Sequence, residues 1–247
     1  MTAKPLRYIL LLICAVAARA VPAGIEHGPW SGAITPTTAI VKAKLVRVGA
    51  NARLVVSKKP DFSAPILSHM DVADAERNRV VTFHLTGLEP DTTYFYAPQV
   101  DGRAELNFRG RLRTFPQGRG SFSFAFASCA NTASSNRVFT AILENQPLFY
   151  MNIGDFHYLN ITSDNRNAFR AAYDRVLRSP PQAHLYRYVP FVYMWDDHDY
   201  GGNNSGRLAD SRAAARLTYQ EYVPHYPLAA GTGDVPIHHA FSIGRVR

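Results

Sequence analysis

The chain has 247 residues, of which 47% are hydrophobic and 19% charged, and its formal net charge is +8. The length allows two domains of ordinary size, and the hydrophobic content excludes a largely disordered chain. The basic residues are spread along the chain and form no run interleaved with aromatic residues, so no nucleic-acid partner is evident. A basic surface of this kind either attracts phosphorylated molecules or is simply solvated.

The first twenty residues are typical of a secretory signal. Lys4 and Arg7 precede an apolar stretch at residues 8–18, and Ala18-Arg19-Ala20 matches a cleavage site. The stretch is shorter than the about 20 apolar residues of a membrane span. We therefore expect residues 1–20 to be a signal peptide, the mature chain to be secreted or periplasmic, and no transmembrane segment to remain. Its removal leaves 24 basic and 19 acidic residues, a net charge of +5.

Residues 25–115 predict a small all-β sandwich. Short apolar or alternating runs, separated by turn residues, recur at residues 38–46, 52–57, 79–85, 94–100 and 109–115. The segment at residues 88–96 resembles the LxPxTxYxY segment of fibronectin type III domains, in which the tyrosine packs at a corner. Trp30 is expected to anchor the core or an edge of this module, which we interpret as structural rather than catalytic.

From residue 121 the pattern changes to alternating strands and helices, which predicts an α/β layered domain over residues 121–247. Ser163 or Asp164 is the expected N-cap of its second helix. The predicted strands, which we expect to be buried on both faces, are residues 122–127, 148–153 and 188–194. The predicted helices are residues 136–145, 164–179 and 208–222.

Two further features concern the ends of this domain. Residues 116–120 are interpreted as a flexible linker from the sandwich. Residues 240–247 are interpreted as the start of another strand, so we expect a truncated reading frame and an incomplete α/β domain.

Polar segments follow each of the three predicted strands. Cys129 follows the first, Gly154-Asp155-Phe156-His157-Tyr158 the second, and Asp196-Asp197-His198-Asp199 the third. Functional groups of α/β folds gather at the carboxyl ends of strands. A thiol, a phenol, an imidazole and carboxylates at one sheet edge predict a metal site.

Each segment also has other interpretations. Without the signal, Cys129 has no intramolecular disulfide partner, so it is buried and inert, oxidised, paired with another chain, or bound to a ligand. The spacing of Asp155 and Tyr158 lets both reach one point, where a carboxylate can bridge two cations and a phenolate favours ferric iron. The alternative is a turn aspartate beside a core tyrosine.

The third segment is the most acidic. It places three carboxylates beside one imidazole at residues 196–199. Without a cation, the like charges of the carboxylates would repel one another. The alternative is an exposed acidic turn. His198 either ligates a metal or donates a proton to a leaving oxygen. A different hypothesis makes Cys129 a nucleophile, with His198 as its base and Asp199 or Asp155 orienting the imidazole.

Together the three segments resemble the alkaline phosphatase D (PhoD-like) family of metallophosphoesterases. That family has a strand ending in Ser-Cys, then GDxxY, then a strand ending in a D-D-H-E/D pattern, which match Ser128-Cys129, the segment from Gly154 to Tyr158, and Asp196 to Asp199. The resemblance implies a metal-dependent phosphoric ester hydrolase with a phosphate ester substrate and a metal-bound hydroxide as attacking group.

The same resemblance implies a centre of Fe3+ and Ca2+. Carried over by position, Cys129 and Tyr158 would ligate iron, Asp155 would bridge both metals, and Asp197 would ligate the second. His198 would lie beside the leaving group, so His198 and Asp155 are the implied catalytic residues.

This chain also departs from the family pattern. Its signal lacks a twin arginine, and we find none of the further histidine ligands that the family places in a C-terminal half. We therefore expect an incomplete phosphatase that binds metal weakly or not at all. The alternative from another class is a non-catalytic exported binding protein with a remnant hydrolase domain.

Overall fold

The computed structural model describes residues 24–247. The expected signal peptide, residues 1–20, lies outside this range. Within it, no helix combines the length and the apolar character needed to cross a membrane.

The first half of the described chain forms two antiparallel sheets that pack on each other. One sheet has the order β1 (Ile25–Gly32), β2 (Ala39–Leu45) and β6 (Val80–Leu85). The other contains β4 (Ile66–Leu67), β3 (Asn51–Ser57), β7 (Thr93–Val100) and β8 (Arg103–Ala104), with β5 (Asp71–Val72) against β3 and β9 (Gly110–Arg113) against β7. A short 3-10 helix, Leu106–Phe108, precedes β9.

The core of these sheets follows from side-chain alternation. On β3, Ala52, Leu54 and Val56 are buried while Arg53 and Val55 between them are only half-buried. The hydroxyl of Tyr94 accepts a 2.9 Å hydrogen bond from the backbone N–H of Glu89, five residues earlier. The corner tyrosine expected from the sequence therefore closes the loop before β7.

The second half forms a parallel three-stranded sheet with helices. The strands, in the order β10-β11-β12, are Ala125–Ala127, Tyr150–Asn152 and Phe191–Tyr193. The helices are α1 (Val138–Glu144), α2 (Arg166–Arg178), α3 (Pro180–Tyr188), α4 (Asp197–Tyr200) and α5 (Arg212–Tyr222). The α/β alternation expected from the sequence is present, with shorter strands.

Some local predictions for this half were wrong. Helix α3 was not expected, and Tyr188 ends it instead of starting β12. Pro180 and Pro181 occupy the first turn of α3, where a missing N–H costs nothing. The N-cap of α2 is Asn165, whose side chain accepts a hydrogen bond from the N–H of Ala168, rather than Ser163 or Asp164.

The sequence predicted that the strands of this sheet are buried on both faces, but only one face is buried. Tyr150, Phe191 and Tyr193 pack among the helices. On the other face, Phe126 is 64% exposed and Met194 is 55% exposed. The last segment also differs from expectation, because its only strand-like pairing among the described residues is a single bridge between Ile243 and Val246.

The two halves are joined by buried hydrogen bonds, which we call the joint. From the sandwich, the indole of Trp30 donates to the carbonyl of Tyr222 at 2.7 Å, and Lys42 donates to the carbonyl of Glu221 at 2.8 Å. Lys44 donates to the carboxylate of Asp174 at 2.6 Å. These donors come from β1 and β2, and their acceptors lie on or next to α2 and α5, so the sandwich fixes the helices that support the parallel sheet.

Candidate metal centre

Cys129 lies two residues beyond the end of β10. Its side chain is exposed, and its φ of +61° is in the left-handed region, which is uncommon for a residue other than glycine. Its N–H donates to the carbonyl of Gly154 at 3.4 Å. The loops after β10 and β11 are therefore tied together at the backbone.

The loop after β11 reverses sharply at Gly154 and Asp155. Gly154 has a φ of +114°, and a Cβ atom there would lie 2.5 Å from Cβ of Asp196. Only glycine allows this approach of the loops after β11 and β12. Asp155 follows with a φ of +53°, and its side chain is buried. Backbone strain of this kind clusters at functional sites.

Asp155 meets Cys129 and Tyr158. Its Oδ2 accepts a 2.7 Å hydrogen bond from the hydroxyl of Tyr158 and lies 3.4 Å from Sγ of Cys129. Burial, together with the neighbouring Cys129 and Asp155 side chains, raises the pKa of Tyr158 well above its usual range. The convergence of thiol, phenol and carboxylate expected from the sequence is thus present.

Asp197 and His198 approach Asp155 from the start of α4. One potential ligand atom from each of these three residues lies within 4.8 Å of the other two. The backbone N–H of Asn204 donates to Asp197 and lowers the pKa of its carboxyl. The ring of His198 packs on that of Tyr158 with centroids 4.4 Å apart.

The other two acids of this segment do not join the cluster. Asp196 caps α4 by accepting from the N–H of Asp197 at 2.9 Å. Asp199 is buried and accepts from the backbone N–H groups of Phe156, His157 and Asp196, although burial raises its pKa to about 7. Backbone donors therefore hold Asp196 and Asp199 in place, and of the three acids only Asp197 belongs to the cluster with Asp155 and His198.

The geometry does not bring the cysteine-nucleophile arrangement together. Sγ of Cys129 has Ser128 and Asp155 as its hydrogen-bond partners, whereas Nδ1 of His198 is bonded to Oδ1 of Asn160 at 2.8 Å. Asp199, the other expected orienting group, bonds backbone N–H groups instead of an imidazole.

Three other histidines of this half of the chain pack against aromatic rings. His157 is fully buried between Phe169 and Tyr173, and burial lowers its pKa to about 4. His184 packs on Tyr188, and His225 stacks on Tyr219. None of them belongs to the three-residue cluster of Asp155, Asp197 and His198.

The residues present fit a bound cation. Oδ1 of Asp155 is buried and has no hydrogen-bond partner among the described residues. Burying an unpaired carboxylate oxygen is costly, and a cation between Asp155 and Asp197 would compensate it. A thiol and a phenol on one side and carboxylates on the other make a donor set with a softer and a harder half.

Sequence reasoning missed two supporting side chains. Oγ1 of Thr132 accepts from the N–H of Tyr158 at 2.7 Å, and Asn160 bonds His198. Asn160 follows the GDxxY segment by two residues, which was the available signal. A cavity of about 620 Å³ opens beside the centre, and its lining includes Asp197, Arg207, Arg216 and His239.

The chain is similar in sequence and in fold to known proteins. Residues 13–116 match the profile of the PhoD-like phosphatase, N-terminal domain. Two proteins of Mycobacterium tuberculosis strains, Uncharacterized protein MT2654 and Uncharacterized protein Rv2577, are 29% identical over 151 residues, covering 53% of this chain and 27% of each relative. The chain thus matches little more than a quarter of their length.

Two solved structures share the fold. The structure of PhoD superposes with a TM-score of 0.73 at 20% identity, covering 88% of this chain and 49% of PhoD. The purple acid phosphatase PPD1 of yellow lupin (Lupinus luteus) seeds superposes with a TM-score of 0.55 at 12% identity, covering 81% of this chain and 41% of that structure. The chain therefore spans about half of the solved PhoD structure.

Proposed function

Because the chain belongs to the PhoD-like phosphatase family, we propose that it acts as a metal-dependent phosphoric ester hydrolase of the alkaline phosphatase or phosphodiesterase type. One observation carries the proposal. The carboxylate of Asp155 has Cys129 and Tyr158 against one oxygen, while its other oxygen is buried and has no partner in the described part of the chain. One potential ligand atom each of Asp197 and His198 lies within 4.8 Å of a carboxylate oxygen of Asp155.

We propose that this arrangement holds Fe3+ and Ca2+. Cys129 and Tyr158 would hold the iron, since thiolate and phenolate are charged, electron-donating ligands that suit ferric iron. Asp197 would hold the calcium, a hard ion that prefers carboxylates, and Asp155 would bridge the two. Bound cations supply Lewis-acid chemistry, neutralising the charge of the phosphoryl group and lowering the pKa of water.

The side chains have separate tasks in this proposal. Asp155, fixed by the left-handed turn after Gly154, sets the separation of the two donor groups. His198 donates a proton to the leaving oxygen of the ester. Asp199 holds the two motif loops together through the three backbone N–H groups that it accepts from, so that Asp197 and His198 face Asp155.

Three further expectations stay with this proposal. We propose that residues 1–20 direct export to the periplasm or the medium, that residues 25–115 form a fibronectin III-like module, and that residues 121–247 belong to the metallophosphoesterase domain. The chain matches 49% of the solved PhoD structure, so the activity of a whole enzyme of this type is part of the proposal.

The test measures metal content and hydrolysis in the same samples. The full chain is incubated with ferric iron and calcium, desalted, and analysed for both elements and for hydrolysis of p-nitrophenyl phosphate and bis-p-nitrophenyl phosphate. Asp155→Asn should abolish uptake of both ions and any turnover. Asp196→Asn is the matched control, because its side chain caps α4 and asparagine caps equally well.

Two results would contradict the proposal. Equal metal content in the wild type and Asp155→Asn would show that the cluster does not hold the ions. Metal uptake without hydrolysis of either ester would favour the exported binding protein instead.

A further inference from the structure

His198 is the proposed proton donor, and one of its two ring nitrogens is already engaged. Nδ1 lies 2.8 Å from Oδ1 of Asn160. An amide oxygen accepts hydrogen bonds and cannot donate them, so with Oδ1 of Asn160 in this position Nδ1 carries the hydrogen. In the neutral imidazole the other nitrogen, Nε2, then carries a free lone pair.

Asn160 is held in place by its backbone and its neighbour. Its φ of +48° is in the left-handed region, which asparagine tolerates better than most residues. The next residue, Ile161, is buried in a small cluster with Phe169 and Tyr200. Tyr200 lies on α4, two residues after His198, so this cluster ties the loop of Asn160 to the helix of His198.

The rest of the His198 ring is restrained as well. The ring contacts that of Tyr158 in a tilted arrangement, with centroids 4.4 Å apart and an interplanar angle of 46°. A ring nitrogen lies within 4.8 Å of carboxylate oxygens of Asp155 and Asp197. Since Nδ1 is bonded to Asn160, Nε2 is the nitrogen left to act at the centre.

We propose that Asn160 is a positioning residue that fixes the Nδ1–H tautomer of His198 and keeps Nε2 for the leaving oxygen of the ester. This rests on the proposed hydrolase function. In the reaction, the Nε2–H bond of the imidazolium breaks and an O–H bond forms on the leaving alkoxide. The Nδ1–H bond to Asn160 persists throughout, and Nε2 regains its proton from water.

The primary test needs neither metal nor turnover. The ring nitrogens of His198 are observed by 15N NMR in the metal-free full chain, at a pH where titration in the same experiment shows a neutral ring. His198→Gln identifies the signals by their loss. The wild type should show the Nδ1–H tautomer, and Asn160→Ala should shift the ring to the Nε2–H tautomer that unrestrained histidine favours.

Two variants make this test specific. Asn160→Asp keeps an accepting oxygen and should preserve the Nδ1–H tautomer. Asn167→Ala removes an exposed asparagine from the first turn of α2 and should leave the His198 signals unchanged. A wild-type Nε2–H tautomer, or an unchanged tautomer in Asn160→Ala, would overturn the proposal.

The rates of hydrolysis of two esters give a second measurement. A purely structural role of Asn160 would not make the loss of kcat depend on the leaving group. Asn160→Ala should lower kcat by about tenfold for an alkyl phosphate, whose leaving group needs a proton, and much less for p-nitrophenyl phosphate, with KM unchanged. Equal losses for both esters would contradict a role through His198. If no ester is hydrolysed while the tautomers follow expectation, the hydrolase proposal fails and the orienting contact stands.

Discussion

The hydroxyl of Tyr158 donates to Oδ2 of Asp155 at 2.7 Å, and the same oxygen lies 3.4 Å from the thiol of Cys129. The second oxygen of Asp155 is buried and has no hydrogen-bond partner among residues 24–247. Asp155 therefore belongs to two groups: one with Cys129 and Tyr158 at Oδ2, and one with Asp197 and His198, whose potential ligand atoms lie within 4.8 Å of a carboxylate oxygen of Asp155. We call this the division of the centre.

Replacing Tyr158 with phenylalanine should weaken iron binding selectively. The ring and its packing on His198 remain, but the phenolic oxygen is lost, so iron retention after desalting should fall while calcium retention changes little. Without metal, loss of the hydrogen bond to Asp155 should cost about 1 kcal/mol of unfolding free energy. Tyr188→Phe, which alters a tyrosine packed on His184, is the control. Equal loss of both ions would argue against the division.

Gly154→Ala should separate the two motif loops. Alanine would have to adopt a φ of +114°, which residues other than glycine rarely do. Its Cβ would also lie 2.5 Å from Cβ of Asp196. We expect a loss of about 1–3 kcal/mol in unfolding free energy and a loss of metal uptake. Gly87→Ala also has a positive φ but meets no atom within 4 Å, so it should lose less stability and keep its metal. Equal metal content in both variants would contradict the close approach.

Asp174 should make the joint sensitive to acid. Burial raises its pKa, but His27 and Lys44 outweigh burial and lower it to about 2, below the unfolded value of 3.8. The stabilisation is therefore complete above about pH 4 and is lost as the pH falls toward 2. Asp174→Asn should unfold with about 2 kcal/mol less free energy at pH 7, and the difference from the wild type should vanish near pH 2.

Urea unfolding at both pH values measures this difference. Asp101→Asn, which removes an exposed partner of Arg47, should leave the stability nearly unchanged at both pH values. A deficit of Asp174→Asn that is the same at both pH values would show that the loss is not electrostatic.

Lys42 should make the joint more stable in alkali. Burial lowers its pKa to about 8, against 10.5 for the unfolded chain. Between these values the unfolded chain binds a proton that the folded chain has released, so stability gained through Lys42 rises with pH, by up to about 3 kcal/mol. The wild type should gain this stability relative to Lys42→Met between pH 8 and 10. Lys58 is an exposed lysine paired with Glu89. The wild type should show no such gain of stability relative to Lys58→Met.

Much of the architecture could be predicted because it is periodic. The alternating residues of β3 and the apolar runs of β11 and β12 mark strands in any context, and the groups that follow strand ends must share one edge. Strand β1 was not predicted, because its Gly28, Pro29 and buried His27 break the strand pattern and are explained only by packing on α2 and α3.

The site was predictable in membership but not in detail. Cys129, Asp155, Tyr158, Asp197 and His198 were expected from the resemblance to the PhoD-like family, and the structure places their side chains close together. Asp197 and Asp199 look alike in sequence, yet one faces Asp155 while the other accepts backbone N–H groups. Side-chain directions at a turn depend on φ values such as +61° at Cys129 and +48° at Asn160, which a local sequence pattern does not determine.

The joint has a consequence for residues 116–120, which the sequence suggested to be a flexible linker. Phe115, at the end of the sandwich, packs on Phe149 and Phe241 of the second half. The two halves therefore share a hydrophobic core beside residues 116–120. Proteolytic cleavage within residues 116–120 should leave two fragments that still elute together in size-exclusion chromatography and unfold in a single thermal transition.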